Sequence, residues 1–169
     1  MHINAETKIK LITISKAQGM NIVEVSNRSE INKFHQVPYL IYKNDSNWIA
    51  NIKQEVETVF NPNKNKYFKH GTATRFLLEN DHGNIIGRVA AFIDEKKAHT
   101  FNQPTGGMGF FECIDNQEAA FKLFDACKNW LTERGMEAMD GPVNFGEKDR
   151  YWGLLVNGFN HPPIYANSY

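Results

Sequence analysis

The sequence predicts one α/β (α+β) domain, and three observations support that prediction. The chain has 169 residues, the size of a single domain. Its middle has the pattern of a β-hairpin, with a glycine-containing turn at 81–84 between two apolar runs. A strongly amphipathic helix pattern follows at 115–135. Strand and helix patterns therefore alternate along the chain, which favours a sheet flanked by helices.

The first third of the chain predicts one strand and two helices. Residues 20–25 are rich in β-branched side chains and follow a glycine, which is typical of a strand. Asn27 and Glu30 have the spacing of a capping box, which predicts a helix start. Pro38 is expected to kink or break that helix, because its ring disfavours helical geometry at the preceding residue. A second helix is predicted over 48–60.

The middle of the chain predicts three strands. The hairpin strands are expected at 74–79 and 85–94, and a third strand at 107–114. The polar segments 64–71 and 95–105 are expected to be loops.

The last third predicts the best-defined helix. Asp115 is expected to cap it and Glu118 to complete a capping box, while Gly135 is placed to end it. A short strand at 136–140 and a short helix at 147–155 are expected to follow. The apolar stripe of the long helix consists of Ala120, Leu123, Phe124, Cys127 and Leu131.

Composition argues against several functional classes. Lysine and arginine number 19, as do aspartate and glutamate, so the zero net charge disfavours a nucleic-acid binder. Apolar runs such as 89–93 are far shorter than a membrane span, and 1–16 lacks the apolar stretch of a secretory signal. Cys113 and Cys127 form no CxxC pair, and the six histidines show no metal-ligand spacing, so no metal is expected. These observations predict a cytoplasmic protein.

The predicted order, β-α-α-β-β-β-α-β-α, resembles the acyl-CoA N-acyltransferase (GNAT) fold up to its fourth helix. Local strings strengthen the resemblance to a group of bacterial GNAT-like proteins: VPYLIYKNDSNW at 37–48, GRVAA at 87–91, GFFE at 109–112, WLTERGM at 130–136 and GPVNF at 141–145.

The resemblance has implications for the whole chain. It implies a single domain over 20–169 with a mixed, mostly antiparallel sheet, and leaves 1–19 as an arm or peripheral strand. The last strands of the fold are missing from this order, so the domain is expected to be incomplete at its C-terminus. An unpaired sheet edge would then be available for a homodimer.

The resemblance also implies a reaction. Acetyl-CoA would bind between the strands 107–114 and 136–140, and a small-molecule amine or a peptide would attack its thioester. Glu112 is the expected base. Tyr151 is the expected acid by its place in the order, with Tyr165 and Tyr169 as other candidates.

The cofactor loop departs from the family pattern. Ordinary members have a glycine-rich loop before the long helix, where backbone N–H groups hold the pyrophosphate. The segment 113–119 has no glycine and no arginine, and its Asp115 and Glu118 would repel a diphosphate. If CoA binds, the expected contacts are Cys113, Ile114, Asn116, Gln117 and Glu118. A non-catalytic GNAT-like binding or interaction module therefore stays open beside the N-acyltransferase hypothesis.

Three residues are candidates for substrate contact. Arg88 is suited to pair with a substrate carboxylate or with a neighbouring acid. The GPVNF turn lies at a strand end, where α/β sheets often border a ligand crevice, so Asn144 and Phe145 are candidates as well. The structural alternative is a tight loop with Phe145 packed beneath it.

Overall fold

The computed structural model describes residues 19–146, 157–158 and 160–161, and its strands form one sheet. The sheet order is β1-β2-β3-β4-β5, with neighbours antiparallel from β1 to β4 and β5 parallel to β4. The predicted mixed, mostly antiparallel sheet is confirmed. The strands are β1 (Met20–Glu24), β2 (Gly71–Asn80), β3 (Ile85–Asp94), β4 (Thr105–Cys113) and β5 (Ala138–Asp140).

Helices cover both faces of the sheet. The helices α1 (Arg28–Ile41) and α2 (Lys53–Val59) pack on one face, and α4 (Gln117–Thr132) packs on the other. The segments predicted to be loops each contain a short helical turn, a 3₁₀ turn at Lys66–Lys69 and α3 at Glu95–Ala98. At the start of each turn, a side chain accepts a hydrogen bond from a backbone N–H and so stabilises the turn. A loop prediction based on composition does not consider such a hydrogen bond.

Each face of the sheet has its own core. The α4 core consists mainly of Phe76, Leu78, Val89, Ala91, Ile93, Met108, Leu123, Cys127, Trp130 and Leu131. The α1–α2 core consists of Phe34, Val37, Val56, Val59, Leu77, Ala90, Phe92, Phe110 and Phe145. The alternation of Leu77 with Leu78 shows how β2 supplies both cores, because successive strand residues point to opposite faces.

Helix α1 begins as predicted but does not break at Pro38. The Asn27 side chain accepts a hydrogen bond from the Glu30 N–H. The Glu30 carboxylate in turn accepts one from the Asn27 N–H at 3.1 Å, so the capping box is confirmed. The helix continues through Pro38, which is buried, to Ile41. Proline lacks the N–H that would bond the carbonyl four residues earlier. Arg88 supplies the missing donor, with Nη1 lying 3.0 Å from the Phe34 carbonyl oxygen.

The start of α4 differs from the prediction by one residue. Asn116, and not Asp115, is the N-cap, and its side chain accepts from the Ala119 N–H at 2.9 Å. Asp115 therefore lies outside the helix, and Glu118 lies in its first turn. At the other end, Gly135 has a φ of +80°, so the predicted glycine termination is confirmed.

Strand β4 carries an irregularity in its middle. The register with β3 passes from Arg88 opposite Glu112 to Ala90 opposite Gly109, so β4 contains one extra residue there. Phe110 lies at this bulge with a φ of +53°, a conformation that is unusual for a bulky residue. A bulge of this kind bends the strand that carries it.

Several predictions fall outside the described residues. They are the helix at 147–155, the tyrosines Tyr151, Tyr165 and Tyr169, and all but the last residue of the arm predicted at 1–19. Within the described ranges, none of the helices is long and apolar enough to cross a membrane.

Candidate functional site

The pairing between β4 and β5 is short. It covers only Thr105 to Gly107 of β4, opposite Ala138 to Asp140. Just beyond it, the chain after β5 crosses the edge of β4, where the Val143 N–H donates to the Met108 carbonyl at 2.9 Å. A Cβ on Gly109 would lie 2.1 Å from the Val143 carbonyl oxygen, so this crossing requires a glycine. Within the described residues, no strand pairs with the last part of β4 on this side.

A cavity of about 750 Å³ lies beside this part of β4, and we name it the α4 cavity. Four of the five predicted cofactor residues line it: Cys113, Ile114, Asn116 and Gln117. Glu118 is not among its lining residues. The opposite wall is the end of α1 with Leu40 and Ile41, followed by Lys43, which sequence reasoning missed. Residues 40–43 lie about seventy positions from Cys113, so no local pattern connects the two walls.

The α4 cavity is apolar with one charge of each sign. Leu40 is 50% exposed and Ile114 is 40% exposed, so the cavity has an accessible apolar rim. Lys43 and Asp115 both line the cavity, so the lysine charge balances the aspartate charge there. Burial raises the pKa of the Cys113 thiol, and the Asp115 carboxylate raises it further, so this cysteine is a poor nucleophile.

Glu112 and Arg88 form a buried ion pair between neighbouring strands. They lie opposite each other in the register of β3 and β4, and Arg88 Nε donates to Glu112 Oε2. The two side chains are only 3% and 9% exposed. The Arg88 guanidinium also lies 4.6 Å from the centre of the Phe34 ring. Of the two alternatives for Arg88, the structure shows the pairing with a neighbouring acid, and neither residue lines a described cavity.

A second cavity, of about 320 Å³, lies beside the first part of β4, and we name it the β5-loop cavity. The loop after β5, residues 141–146, forms one wall and places Asn144 and Phe145 there. The remaining lining includes Tyr67, Phe92, Asp94, Lys97, Phe101 and Asp140.

The loop around Asn144 is held on both sides. The Phe145 side chain is 1% exposed, so the predicted alternative in which it packs beneath the loop is observed. Asn65 Nδ2 donates to the carbonyls of Phe145 and Val59 at 2.8 and 2.7 Å, while Val143 bonds β4. Asn144 Oδ1 lies between these anchors, buried and without a hydrogen-bond partner in the described part of the chain.

A further polar network joins α1, α2 and β2. Glu57 Oε1 accepts from Arg75 Nη1 at 2.5 Å and lies 2.7 Å from His35 Nε2. Burial raises the pKa of the Glu57 carboxyl, but the His35 hydrogen bond and the Arg75 charge outweigh this and hold the pKa below its usual range. Arg75 also lies 4.3 Å from the centre of the Phe60 ring, so the network fastens the two helices to the sheet.

The described residues contain no group of three or more metal-ligating side chains that could hold a metal ion. The site therefore consists of two cavities that share β4 as a wall, with the Arg88–Glu112 pair buried next to the bulge of that strand.

Comparison with curated proteins finds two relatives. The chain is 32% identical over 150 residues to the bacterial ceramide synthase of Caulobacter vibrioides, covering 86% of this chain and 38% of that protein. It is 27% identical over 140 residues to Protein YghO of Escherichia coli, covering 81% of this chain and 34% of that protein. The chain thus spans little more than a third of the length of these relatives. No protein-family model matches the sequence.

Comparison with solved structures finds a common fold. The N-acyl amino acid synthase FeeM from uncultured soil microbes aligns with a TM-score of 0.51 at 12% identity, covering 72% of this chain and 70% of that one. A GCN5-related glucosamine N-acetyltransferase region of a fungal β-N-acetylglucosaminidase aligns with a TM-score of 0.50 at 13% identity, covering 76% and 14% of the two chains. Together with the sheet order, the bulged β4 and its short parallel pairing with β5, these likenesses show that the described chain adopts the GNAT-like fold.

Proposed function

We propose that this chain is an N-acyltransferase domain that moves an acyl group from an acyl-CoA thioester to an amine. The names of two similar proteins support the type of reaction. FeeM is an N-acyl amino acid synthase, and the Caulobacter relative is a ceramide synthase, whose product is a fatty amide of an amino alcohol. Both names describe acylation of an amine nitrogen.

The observation that carries the proposal is the position of the α4 cavity. It lies at the end of β4, beside Phe111 and Cys113, and reaches the first turn of α4, where backbone N–H groups favour an anion. Lys43 adds a positive charge for a phosphate, and the apolar rim at Leu40 and Ile114 suits an acyl or pantetheine chain. Acetyl-CoA is the simplest donor of this type.

The reaction requires a base that accepts a proton from the amine, and it requires stabilisation of the tetrahedral intermediate. The amine nitrogen attacks the thioester carbonyl carbon, the C–S bond breaks, the thiolate leaves, and the amine gives up one proton. We assign the proton to Glu112, reached through water because Glu112 lines neither cavity, while Arg88 fixes the orientation of its carboxylate. The proton for the leaving thiolate is assigned to Tyr151.

Donor binding is tested by thermal unfolding with acetyl-CoA, octanoyl-CoA and CoA at about 1 mM. A site with a Kd of roughly 10 μM adds about 2.7 kcal/mol of stability, which raises the melting temperature by a few degrees. Asp115→Asn should enlarge the shift because Asp115 lines the α4 cavity, and Lys43→Glu should abolish it. Glu118→Gln is the comparison variant: Glu118 lies in the first turn of α4 but does not line the cavity, so its effect should be smaller than that of Asp115→Asn.

Transfer is tested by following thiol release with a panel of primary amines. Glu112→Gln is expected to lower kcat by about 10²-fold or more, with a smaller effect on the KM for acyl-CoA. Glu79→Gln serves as the control, because Glu79 is also a partly buried, paired carboxylate of the sheet.

The alternative is a non-catalytic GNAT-like module, and one observation favours it. The Glu112 carboxylate is committed to Arg88 and lines neither cavity. Absence of a melting shift with every CoA ester, together with absence of thiol release, would establish this alternative and overturn the enzymatic proposal.

A further inference from the structure

The first residues of β2 have a strand partner on one side only. Strand β2 begins at Gly71, and β3 pairs with it from that residue onwards. On the other side β1 pairs only with Phe76–Asn80, and the last bond of that line runs from the Val25 N–H to the Arg75 carbonyl at 2.9 Å. The chain then leaves the sheet to begin α1. Among the described residues, no strand therefore covers this edge of β2 over 71–74.

The backbone groups of Ala73 point out of this open edge. In an antiparallel sheet, successive residues of a strand bond its two neighbours alternately. The Arg75 carbonyl bonds the β1 side, whereas the His70 carbonyl accepts from the Glu95 N–H on the β3 side at 2.9 Å. Ala73 lies two residues from Arg75, so its N–H and its carbonyl face away from β3. No described residue pairs with Ala73 on that side.

A cavity of about 370 Å³ follows this edge, and we name it the β2-edge groove. Residues 72–75 of β2 line it along its length. One wall contains Phe60 and Phe68, which pack against the α1–α2 core, and the opposite wall contains Trp130, which belongs to the α4 core. The open backbone of β2 is thus recessed between two walls that come from opposite faces of the sheet.

The charged residues that line the β2-edge groove already have partners. The pairs are Arg75 with Glu57, Glu24 with the Thr74 hydroxyl, and Arg134 with Glu133 and the Trp130 carbonyl. The Arg134 guanidinium also lies 4.1 Å from the centre of the Trp130 ring. Charge therefore does not select a ligand for this groove, and the open backbone groups of Ala73 do.

We propose that the β2-edge groove binds an extended peptide segment of a partner protein, which adds to β2 as a short antiparallel strand. The central residue of the segment exchanges two main-chain hydrogen bonds with Ala73, because a strand offers an N–H and a carbonyl at the required spacing. Three strand residues span about 10 Å, the length of the open stretch 72–74. A single extended chain fits between the walls better than a second copy of this protein, whose sheet carries helices on both faces.

The position of Ala73 also indicates the side chain that the segment presents. Residues opposite each other in an antiparallel pair place their side chains on the same face. Ala73 packs against the α1–α2 core, so the central residue of the segment points towards Phe60 and Phe68. Because alanine is small, we expect this central side chain to be apolar and its neighbours to be uncharged.

Binding is measured by an NMR titration of the chain with the peptide acetyl-Ser-Thr-Leu-Thr-Ser-amide. The Ala73 amide should exchange its hydrogen rapidly in the free chain and at least about tenfold more slowly with saturating peptide. N-methylation of the leucine removes the N–H that bonds the Ala73 carbonyl and should weaken binding at least about threefold. Replacement of the leucine by aspartate should weaken binding about tenfold or more.

The variant Ala73→Pro tests the same pairing from the side of the protein. It removes the outward N–H and should weaken peptide binding at least about threefold. Its melting temperature should change little, because proline is tolerated where a strand N–H faces an open edge. Ile22→Pro is the matched control, since the Ile22 N–H points away from β2 on the outer edge of β1, and it should leave peptide binding unaltered. The N-methylated peptide gives the same test with an unchanged protein.

The same measurements can overturn the proposal. Slow exchange of the Ala73 amide in the free chain at every protein concentration would show that this chain covers the edge itself. Protection that increases with protein concentration would show that a second copy covers it. Equal affinity of the parent and N-methylated peptides, or no binding at about 1 mM peptide, would show that β2 does not accept an added strand. No acyl donor or amine is present in these experiments, so their outcome is independent of the proposed function.

Discussion

Replacing Arg88 by methionine tests how the buried Arg88–Glu112 pair supports the site. The change removes the partner of Glu112 and the donor to the Phe34 carbonyl in one step. Breaking a buried ion pair from one side costs about 3–5 kcal/mol, because the other charge is left without compensation. An unpaired buried carbonyl adds about 1–3 kcal/mol. A single domain has about 5–15 kcal/mol in total, so Arg88→Met should lose much of its stability.

A double-mutant cycle isolates the charge contribution. Urea unfolding is measured for the parent, Arg88→Met, Glu112→Gln and the double variant. Because the double variant buries no unpaired charge, it should be more stable than Arg88→Met, with a coupling energy of about 2 kcal/mol or more. Additive costs, within about 0.5 kcal/mol, would refute the reasoning that the pair is one electrostatic unit.

Pro38→Ala provides an internal check on the helix. Alanine at this position restores an N–H that bonds the Phe34 carbonyl. The substitution should therefore stabilise the Arg88→Met background by about 1 kcal/mol more than it stabilises the parent, in which Arg88 already donates to that oxygen. An equal gain in both backgrounds would show that Arg88 does not serve this carbonyl.

Two further perturbations follow from the described contacts. Because the folded-state pKa of Glu57 lies below its ordinary 4.5, this carboxylate stabilises the fold above that pH, and the contribution disappears as the pH falls through the lower folded value. Urea unfolding of the parent and Glu57→Gln should thus differ at pH 7 and converge in acid; a difference that stays constant down to about pH 3 would contradict the network. Gly109→Ala would place a Cβ 2.1 Å from the Val143 carbonyl oxygen and should displace the 141–146 loop, at a cost of about 1–3 kcal/mol by thermal unfolding. Gly135→Ala, with no atom within 4 Å, should cost only about 1 kcal/mol from its positive φ, and a larger loss there than at position 109 would contradict the packing argument.

The candidate site was only partly accessible to sequence reasoning. The predicted cofactor residues around Asn116 do lie at a cavity, because the end of a strand and the start of the next helix are adjacent in the chain. The facing wall at Lys43 and the pairing of Arg88 with Glu112 come from distant segments, which one sequence does not connect. The sequence also could not show whether the Asn144 side chain has a hydrogen-bond partner, because that depends on how the loop is anchored.

The sequence by itself determined the local elements of this protein. The hairpin of β2 and β3, the capping box at Asn27 and the glycine end of α4 follow from turn chemistry, side-chain period and hydrogen bonds between near neighbours. The tertiary structure decided that α1 continues through Pro38, because the lost helix bond is replaced by an arginine from a strand fifty residues later. Local interactions are set by spacing along the chain, whereas such a replacement exists only after the sheet and helix have packed.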